Sequence, residues 1–287
     1  MKAEPKLFTR NKELPPLFQD SFVRGQVQEI RPDTPEPQLF YRHPNGQLWA
    51  GDSIAWLKSL PAESVDLVFA DPLYNIKKAD WDTFENQQAY VDWSMLWIEQ
   101  AARVLKPTGT LYVCGFSEIL ADLKLPAMRF FKGCRWLIWH YKNKANLGSD
   151  WGRSHESILH LRKTKKHTFN TDAVRIPYGE HTLKYPTHPQ AETSQYGNGS
   201  NNGHIWHPHP GGAKPKDVFE LTEDLLEIPT TCNGMHEKTP HKTQKPEELL
   251  RKILLASSNE NDTVLEIGRA HGLNSSHSTL SRMPSSA

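Results

Sequence analysis

The sequence predicts an α/β fold built on a doubly wound, mostly parallel sheet, and three observations carry that expectation. Residues 65–70, VDLVFA, form a short apolar run of the kind buried on both faces of a parallel sheet. Val91, Met95, Ile98, Ala102 and Leu105 then recur at steps of four and three, the stripe of an amphipathic helix. Residues 110–114, TLYVC, are a second strand-like run. A helix between two such strands is a βαβ unit, which implies parallel neighbours.

The elements follow in order. Proline and polar residues dominate as far as Pro37, so residues 1–38 are expected to be a poorly ordered arm. Leu48, Trp49 and Ala50 lead into Gly51-Asp52-Ser53 and a short helix-like stretch through Leu60. After the first strand and the helix, Lys106-Pro107-Thr108-Gly109 supplies a stop. From Trp136 aromatics alternate with basic residues, and residues 177–216 are crowded with Gly, Pro, His and Asn, which reads as a loop-rich insertion. Regular structure returns at Lys245-Pro246-Glu247-Glu248, where proline opens a helix and acids fill its first turn. Leu249, Leu250, Ile253 and Leu254 give that helix its buried face, and a strand at 262–265 follows. There is no internal repeat.

The net charge of the 287 residues is +1, so affinity for nucleic acid has to come from local clustering. Between residues 140 and 170 lie Lys142, Lys144, Arg153, Arg162, Lys163, Lys165 and Lys166, against Asp150 and Glu156. A solvated face accounts for such a run as well as a phosphate track does. Cys114, Cys134 and Cys232 are odd in number and widely spaced, which argues against a disulfide framework or a zinc knuckle. A reducing, cytoplasmic setting is expected. The start lacks a signal-peptide core, and no run approaches the roughly 20 apolar residues of a membrane span, so no membrane partner is expected.

The chemistry centres on residues 69–78, FADPLYNIKK. Asp71 falls where a strand ends, and ligands of open α/β sheets bind outside the carboxyl ends of the strands. An enzyme acting on the exocyclic amino group of a flipped nucleobase needs two acceptors for its N–H bonds and an aromatic face to hold the base. The Asp71 carboxylate, the Pro72 carbonyl and the Tyr74 ring supply those three parts. A strand followed by a proline turn explains residues 71–74 without any chemistry. A metal reading of His204, His207 and His209 in HIWHPHP is weak, since acidic or cysteine partners at ligand spacing are lacking, and no metal is expected. HEKTPH is not a zinc-protease helix, because its histidines are five apart and Pro240 breaks the turn.

Four segments, GDSIAWLKSLPAESVDLVFADPLYNI, RVLKPTGTLYV, NLGSDWGRSHESILHLRKTKKHTFNTDAVRIPY and HKTQKPEELLRKILLASSNENDTVL, together resemble the beta-group amino-methyltransferases of DNA restriction-modification systems. The resemblance spans residues 39–265. It implies the S-adenosylmethionine-dependent methyltransferase form of the doubly wound sheet, with a loop-rich DNA-recognition insertion. It also implies S-adenosylmethionine as methyl donor, and catalytic roles for Asp71, Pro72 and Tyr74. Leu73 departs from the family's second proline; it restores a backbone N–H and loosens φ, while leaving both acceptors and the ring in place. An aspartate at position 71, and KKADWD after the loop, resemble the adenine N6 enzymes more than the cytosine N4 enzymes. Thr243, Gln244 and Lys245 match the family's segment against the methionine part of the donor, ahead of a helix N-terminus suited to a carboxylate. Asp71 borders that donor site. Asp52 resembles the acid near the donor's adenosine, although a plain turn acid fits it nearly as well.

The resemblance therefore implies site-specific methylation of adenine N6 in double-stranded DNA after base flipping. Cytosine N4 methylation and a non-catalytic DNA-binding remnant are the alternatives. Lys142, Lys144, Arg153, Lys163, Lys165 and Lys166 are the expected DNA phosphate contacts, and a cognate restriction endonuclease is an expected class of partner. Residues 39–135 form the catalytic half, 136–240 the DNA-contacting and target-recognition region, and 241–265 the start of the donor-binding half. After Leu265 the family continues with Asp-Pro-Phe and a glycine-rich loop, whereas this chain reads EIGRAHGLNSSHSTLSRMPSSA. Residues 266–271 and the final SRMPSSA resemble a translated sequencing-library adapter, so 266–287 are expected to be a non-native, poorly packed tail and donor binding to be weak.

Overall fold

The computed structural model describes residues 26–27, 36–76, 82–141, 149–189, 205–219, 244–269 and 276–282. Along the chain run β1 (Gln26–Val27), β2 (Gln38–His43), β3 (Gly46–Gly51), α1 (Ser53–Ser59), β4 (Val65–Asp71), α2 (Gln87–Val104), β5 (Leu105–Gly115) and α3 (Ser117–Ala127). They are followed by β6 (Gly133–His140), β7 (His155–Arg162), α4 (Glu180–Lys184), β8 (His188–Pro189), β9 (Ile205–Trp206), β10 (Val218–Phe219), α5 (Glu247–Ser257), β11 (Thr263–Arg269) and β12 (Ser276–Arg282).

Ten strands form one sheet in the order β1-β2-β3-β12-β11-β4-β5-β7-β6-β10. Its centre, β11-β4-β5, is parallel, as the βαβ pattern requires. The flanks are antiparallel: β7 runs against both β5 and β6, and β12 against both β11 and β3. Both faces of the parallel centre are covered, which is why its strands read as largely apolar runs. Val68, Ala70, Leu111, Val113, Leu159 and Leu161 point into the layer of α1, α2 and α3. Leu67, Phe69, Tyr112, Cys114 and Ile158 point to the other face, where Leu249 and Ile253 of α5 cover them.

Caps set the helix boundaries. Asp52 starts α1, its carboxylate accepting the Ala55 N–H at 2.7 Å, and Asn86 does the same for α2 through the Ala89 N–H at 2.9 Å. Near the opposite edge of the sheet from the end of β4, Asp66 accepts from Lys106 at 2.8 Å and from the Thr263 N–H at 2.9 Å. One carboxylate thus ties the entries of β4, β5 and β11.

The texture change at Trp136 falls inside β6, whose Leu137 and Trp139 are core side chains. Alternation of aromatic and basic residues there is the two-sided pattern of a sheet strand. The 135/136 boundary therefore divides an element of the sheet. β11 continues through Arg269, and residues 276–282 pair with β3 on one side and β11 on the other.

On β7, His160 is 5 % exposed and stacks on Tyr112 with centroids 4.4 Å apart. Burial, assisted by the positive charges of His167, Arg162 and Arg135, pulls its pKa down to about 3. Between about pH 6.5 and 3 the unfolded chain therefore binds a proton that the folded chain refuses, so stability falls as pH falls through that window. We expect a loss of about 1.4 kcal/mol per pH unit there from this residue, absent in His160→Phe, by urea unfolding at a series of pH values. Parallel slopes for the two proteins would refute it.

Candidate active site

β4 delivers Asp71 to the carboxyl edge of the parallel centre, level with Gly268 at the end of β11. The loop that follows is held from beneath by one buried side chain. Asp82 accepts the backbone N–H groups of Tyr74 at 3.0 Å, Asn75 at 2.8 Å and Ile76 at 3.1 Å. Asn75 adopts a left-handed conformation, φ +54°, and its side-chain oxygen accepts the Phe84 N–H at 3.1 Å. Asn is among the few residues that tolerate this backbone without a large cost. Tyr90 of α2 donates its hydroxyl to the Leu73 carbonyl at 2.8 Å. Among the described residues no hydrogen bond engages the Pro72 carbonyl.

Above the loop sits a cluster of four polar side chains. Lys245, from the segment before α5, places its Nζ 2.8 Å from Asp71 Oδ1 and 3.0 Å from Oδ2. Glu156 of β7 lies on the other side, its Oε2 3.6 Å from the same Nζ. Tyr74 holds its hydroxyl 3.0 Å from Asp71 Oδ1 and 3.2 Å from Glu156 Oε2. Burial would lower the Lys245 pKa, but the Asp71 and Glu156 carboxylates outweigh it and raise the ammonium above its usual range. Burial first, then the same two carboxylates, push the Tyr74 phenol well above its usual value. The phenol is therefore a permanent donor and the lysine a permanent cation at neutral pH. Phe116 meets the Tyr74 ring edge-on at 5.1 Å, and Lys245 Nζ lies 5.2 Å from its centroid.

Of the residues singled out from sequence, Asp71, Pro72, Tyr74 and Lys245 converge here, with Gln244 next to Lys245. Asp52 is the cap of α1, its carboxylate committed to the helix. Thr243, Lys142 and Lys144 lie outside the described residues, as do His204, His241 and Cys232. Arg153 is close to the cluster: it sits 3.9 Å over the Phe116 ring and pairs with Glu118 at 2.7 Å. Lys163, Lys165 and Lys166 follow the far end of β7, because that strand runs away from Asp71. Lys163 is turned inward, its Nζ donating to the carbonyls of Ala102 and, at 3.0 Å, Leu105, where α2 ends. It caps the end of that helix. Lys163→Met should cost about 1–2 kcal/mol in chemical denaturation and leave DNA affinity unchanged, whereas a phosphate contact would show the reverse.

Glu156 and Asp82 were not read from the sequence. Among the described residues no three His, Cys, Asp or Glu side chains converge as metal ligands do. His209 instead accepts the Gly211 N–H at 3.1 Å. No described helix is long and apolar enough to cross a membrane.

A cavity of about 20 Å³ lies between the strand ends and α2, lined by Ser53, Pro72, Trp93 and Gly268 among others. Pockets for drug-sized ligands run to about 300 Å³ and more. Among the described residues this cavity is too small to enclose a molecule the size of a nucleoside.

Comparison with known proteins follows the same lines. A family described as DNA methylase, of the N6/N4 type, matches residues 65–267. The type II methyltransferase M1.MboII of Moraxella bovis is 33% identical over 220 residues, covering 74% of this chain and 78% of that protein. The DNA adenine methyltransferase YhdJ of Escherichia coli K12 is 33% identical over 221 residues, 75% of this chain and 68% of its own. Among solved structures, the cytosine-N4-specific PvuII DNA methyltransferase superposes with a TM-score of 0.50 at 16% identity, over 75% of this chain and 71% of that one. That last likeness is one of fold.

Proposed function

The chain belongs to the N6/N4 DNA methylase family, and from that premise we propose that it methylates the N6 amino group of adenine in double-stranded DNA, with S-adenosylmethionine as donor substrate. The observation that carries the reading is the pair of acceptors at one strand end: the Asp71 carboxylate and the Pro72 carbonyl, which has no hydrogen-bond partner among the described residues. Two acceptors suit an amino group with two N–H bonds. Asp71 takes one and Pro72 the other, which turns the nitrogen lone pair away from the loop and toward the methyl group. The donor supplies an electrophilic methyl on a sulfonium. As the N–C bond forms the C–S bond breaks, the sulfur keeps the electron pair, and the amino nitrogen becomes cationic. Asp71 is placed to receive the proton that this nitrogen then releases, and Glu156 sits beside it to share the added charge. The Tyr74 ring is the stacking platform for the flipped base.

Arg153, beside the cluster, is the proposed phosphate contact nearest the chemistry, and residues 136–240 are proposed to carry DNA contacts in the segments outside β6 and β7. An aspartate at position 71, and the adenine enzyme among the relatives, favour adenine over cytosine. The test is mass spectrometry of nucleosides from unmethylated DNA incubated with this chain and S-adenosylmethionine. N6-methyladenine is the expected product, with the donor saturating only at high concentration because its crevice is small. N4-methylcytosine as the sole product would overturn the assignment.

A further inference from the structure

On the α5 face of the sheet, away from the DPLYN loop, lies a cavity of about 390 Å³ that the proposed methyl transfer does not use. Its floor is a row across three strands, because Tyr112 of β5 pairs with His160 of β7, and His160 pairs with Arg135 of β6. Cys114 and Ile158, one step along the strands, separate this row from Asp71. One wall is α5, through Lys252 and Ile253, and the others are the segments carrying Phe169 and residues 215–219.

Three features indicate what belongs there. The lining holds Arg135, Arg162, Lys216 and Lys252 against a single carboxylate, Asp217, which stands 3.6 Å from Arg135. Four cations around a partly apolar hollow repel one another, and an anion relieves that repulsion. Second, among the described residues His160 Nε2 and Arg162 Nε are buried without a hydrogen-bond partner. Buried polar atoms are rarely left unpaired, so each marks a place where a partner is missing. Third, the Arg162 guanidinium lies flat against Gly133, where a Cβ would come within 2.7 Å of its Nη2. The absence of a side chain on Gly133 leaves this guanidinium room on the sheet surface. Aromatic surface is available too: Phe169 lines the hollow, and Phe219 lines it with Lys252 Nζ 4.6 Å from its ring.

We propose that this cavity binds a free mononucleotide. Its phosphate is held by Arg135, Arg162, Lys216 and Lys252, and its base lies against the Phe169 and Phe219 rings. The volume is in the range of small-ligand pockets, and the pairing of cations with aromatic surface matches a ligand anionic at one end and flat at the other.

The experiment is isothermal titration of adenosine 5′-monophosphate into the full chain. Saturable binding of one molecule per chain is expected, weakened about tenfold or more in Arg135→Met and in Lys216→Met. Both side chains reach the surface, so neither substitution threatens folding, and circular dichroism confirms that. Tyr74→Ala should bind the nucleotide as the parent does, which separates this seat from a target adenine at the loop. The outcome is independent of whether the chain transfers methyl groups. No binding at millimolar nucleotide would overturn the proposal, as would equal binding of adenosine without its phosphate or of inorganic phosphate alone. Displacement of the nucleotide by an oligonucleotide lacking terminal phosphates would reassign the seat to a DNA strand and refute the free-nucleotide assignment.

Discussion

Asp71→Ala is expected to abolish measurable methylation, a fall of about a thousandfold or more, while the protein stays folded. The size follows from what the carboxylate is asked to do. In the proposed mechanism it orients the amino group, stabilises the positive charge that develops on nitrogen, and accepts the departing proton; loss of one preorganised electrostatic group at a reacting centre costs about 10²–10³ in rate, and loss of a positioned base adds to it. Folding survives because Asp71 ends its strand, with the strand's core contacts made by Val65 to Ala70, and because Lys245 keeps Glu156 as a partner. Asp71→Asn retains an acceptor and loses the charge, so its rate should fall between the two. Single-turnover methyl transfer into unmethylated DNA, with thermal melting of each variant as control, reads both numbers. An Asp71→Ala protein within tenfold of the parent would mean that the loop is a structural turn and that the chemistry lies elsewhere.

Lys245→Met should be the most destabilising single change in the site, at about 3–5 kcal/mol near neutral pH. The lysine is 9% exposed and is the cation placed between two carboxylates that are themselves 18% and 12% exposed. Removing it leaves two like charges buried together, and their protonation becomes easier in the folded state than in the unfolded chain. The folded variant then binds more protons than the unfolded one, so its stability falls as pH rises and recovers as pH falls toward the carboxylate range. In the parent, the raised lysine pKa keeps that pair intact through neutral and mildly alkaline solution. Urea denaturation of both proteins at pH 5 and pH 7.5 distinguishes the two behaviours. A deficit equal at both pH values would place the loss in packing of the lysine stem and not in charge.

The parallel centre of the sheet was legible because its causes are local. Residues 65–70 are apolar apart from Asp66 since helices cover both faces, and the α2 stripe shows in Val91, Ile98 and Ala102, all buried. The DPLYN loop was legible because a strand end followed by acid, proline and aromatic is a short contiguous signal. Glu156 was not, although it touches the same tyrosine. It reaches the site because β7 inserts antiparallel between β5 and β6, which sets Trp139 against Glu156 and Gly115 against Ser157. Nothing in the ten residues around Glu156 encodes that insertion. The layout of the basic run was hidden for the same reason: with the strand direction reversed, Arg153 and Lys163 go to opposite ends of the sheet. Asp82 could have been suspected from its place soon after the loop in KKADWD, yet its three N–H contacts depend on how the chain doubles back.

The clamp beneath the DPLYN loop bears on the thermodynamics of target capture. Freezing one backbone residue costs roughly 1–2 kcal/mol in conformational entropy. With Asp82 fixing three consecutive amides and Tyr90 fixing Leu73, residues 73–76 have met that cost during folding. Under the proposed function, capture of the base proceeds as a lock already cut, and the unfavourable entropy of association falls on the DNA, which must unstack and unpair a nucleotide. Mismatched or abasic-flanked targets, in which the DNA's share is smaller, would therefore gain affinity through a less unfavourable entropy of binding.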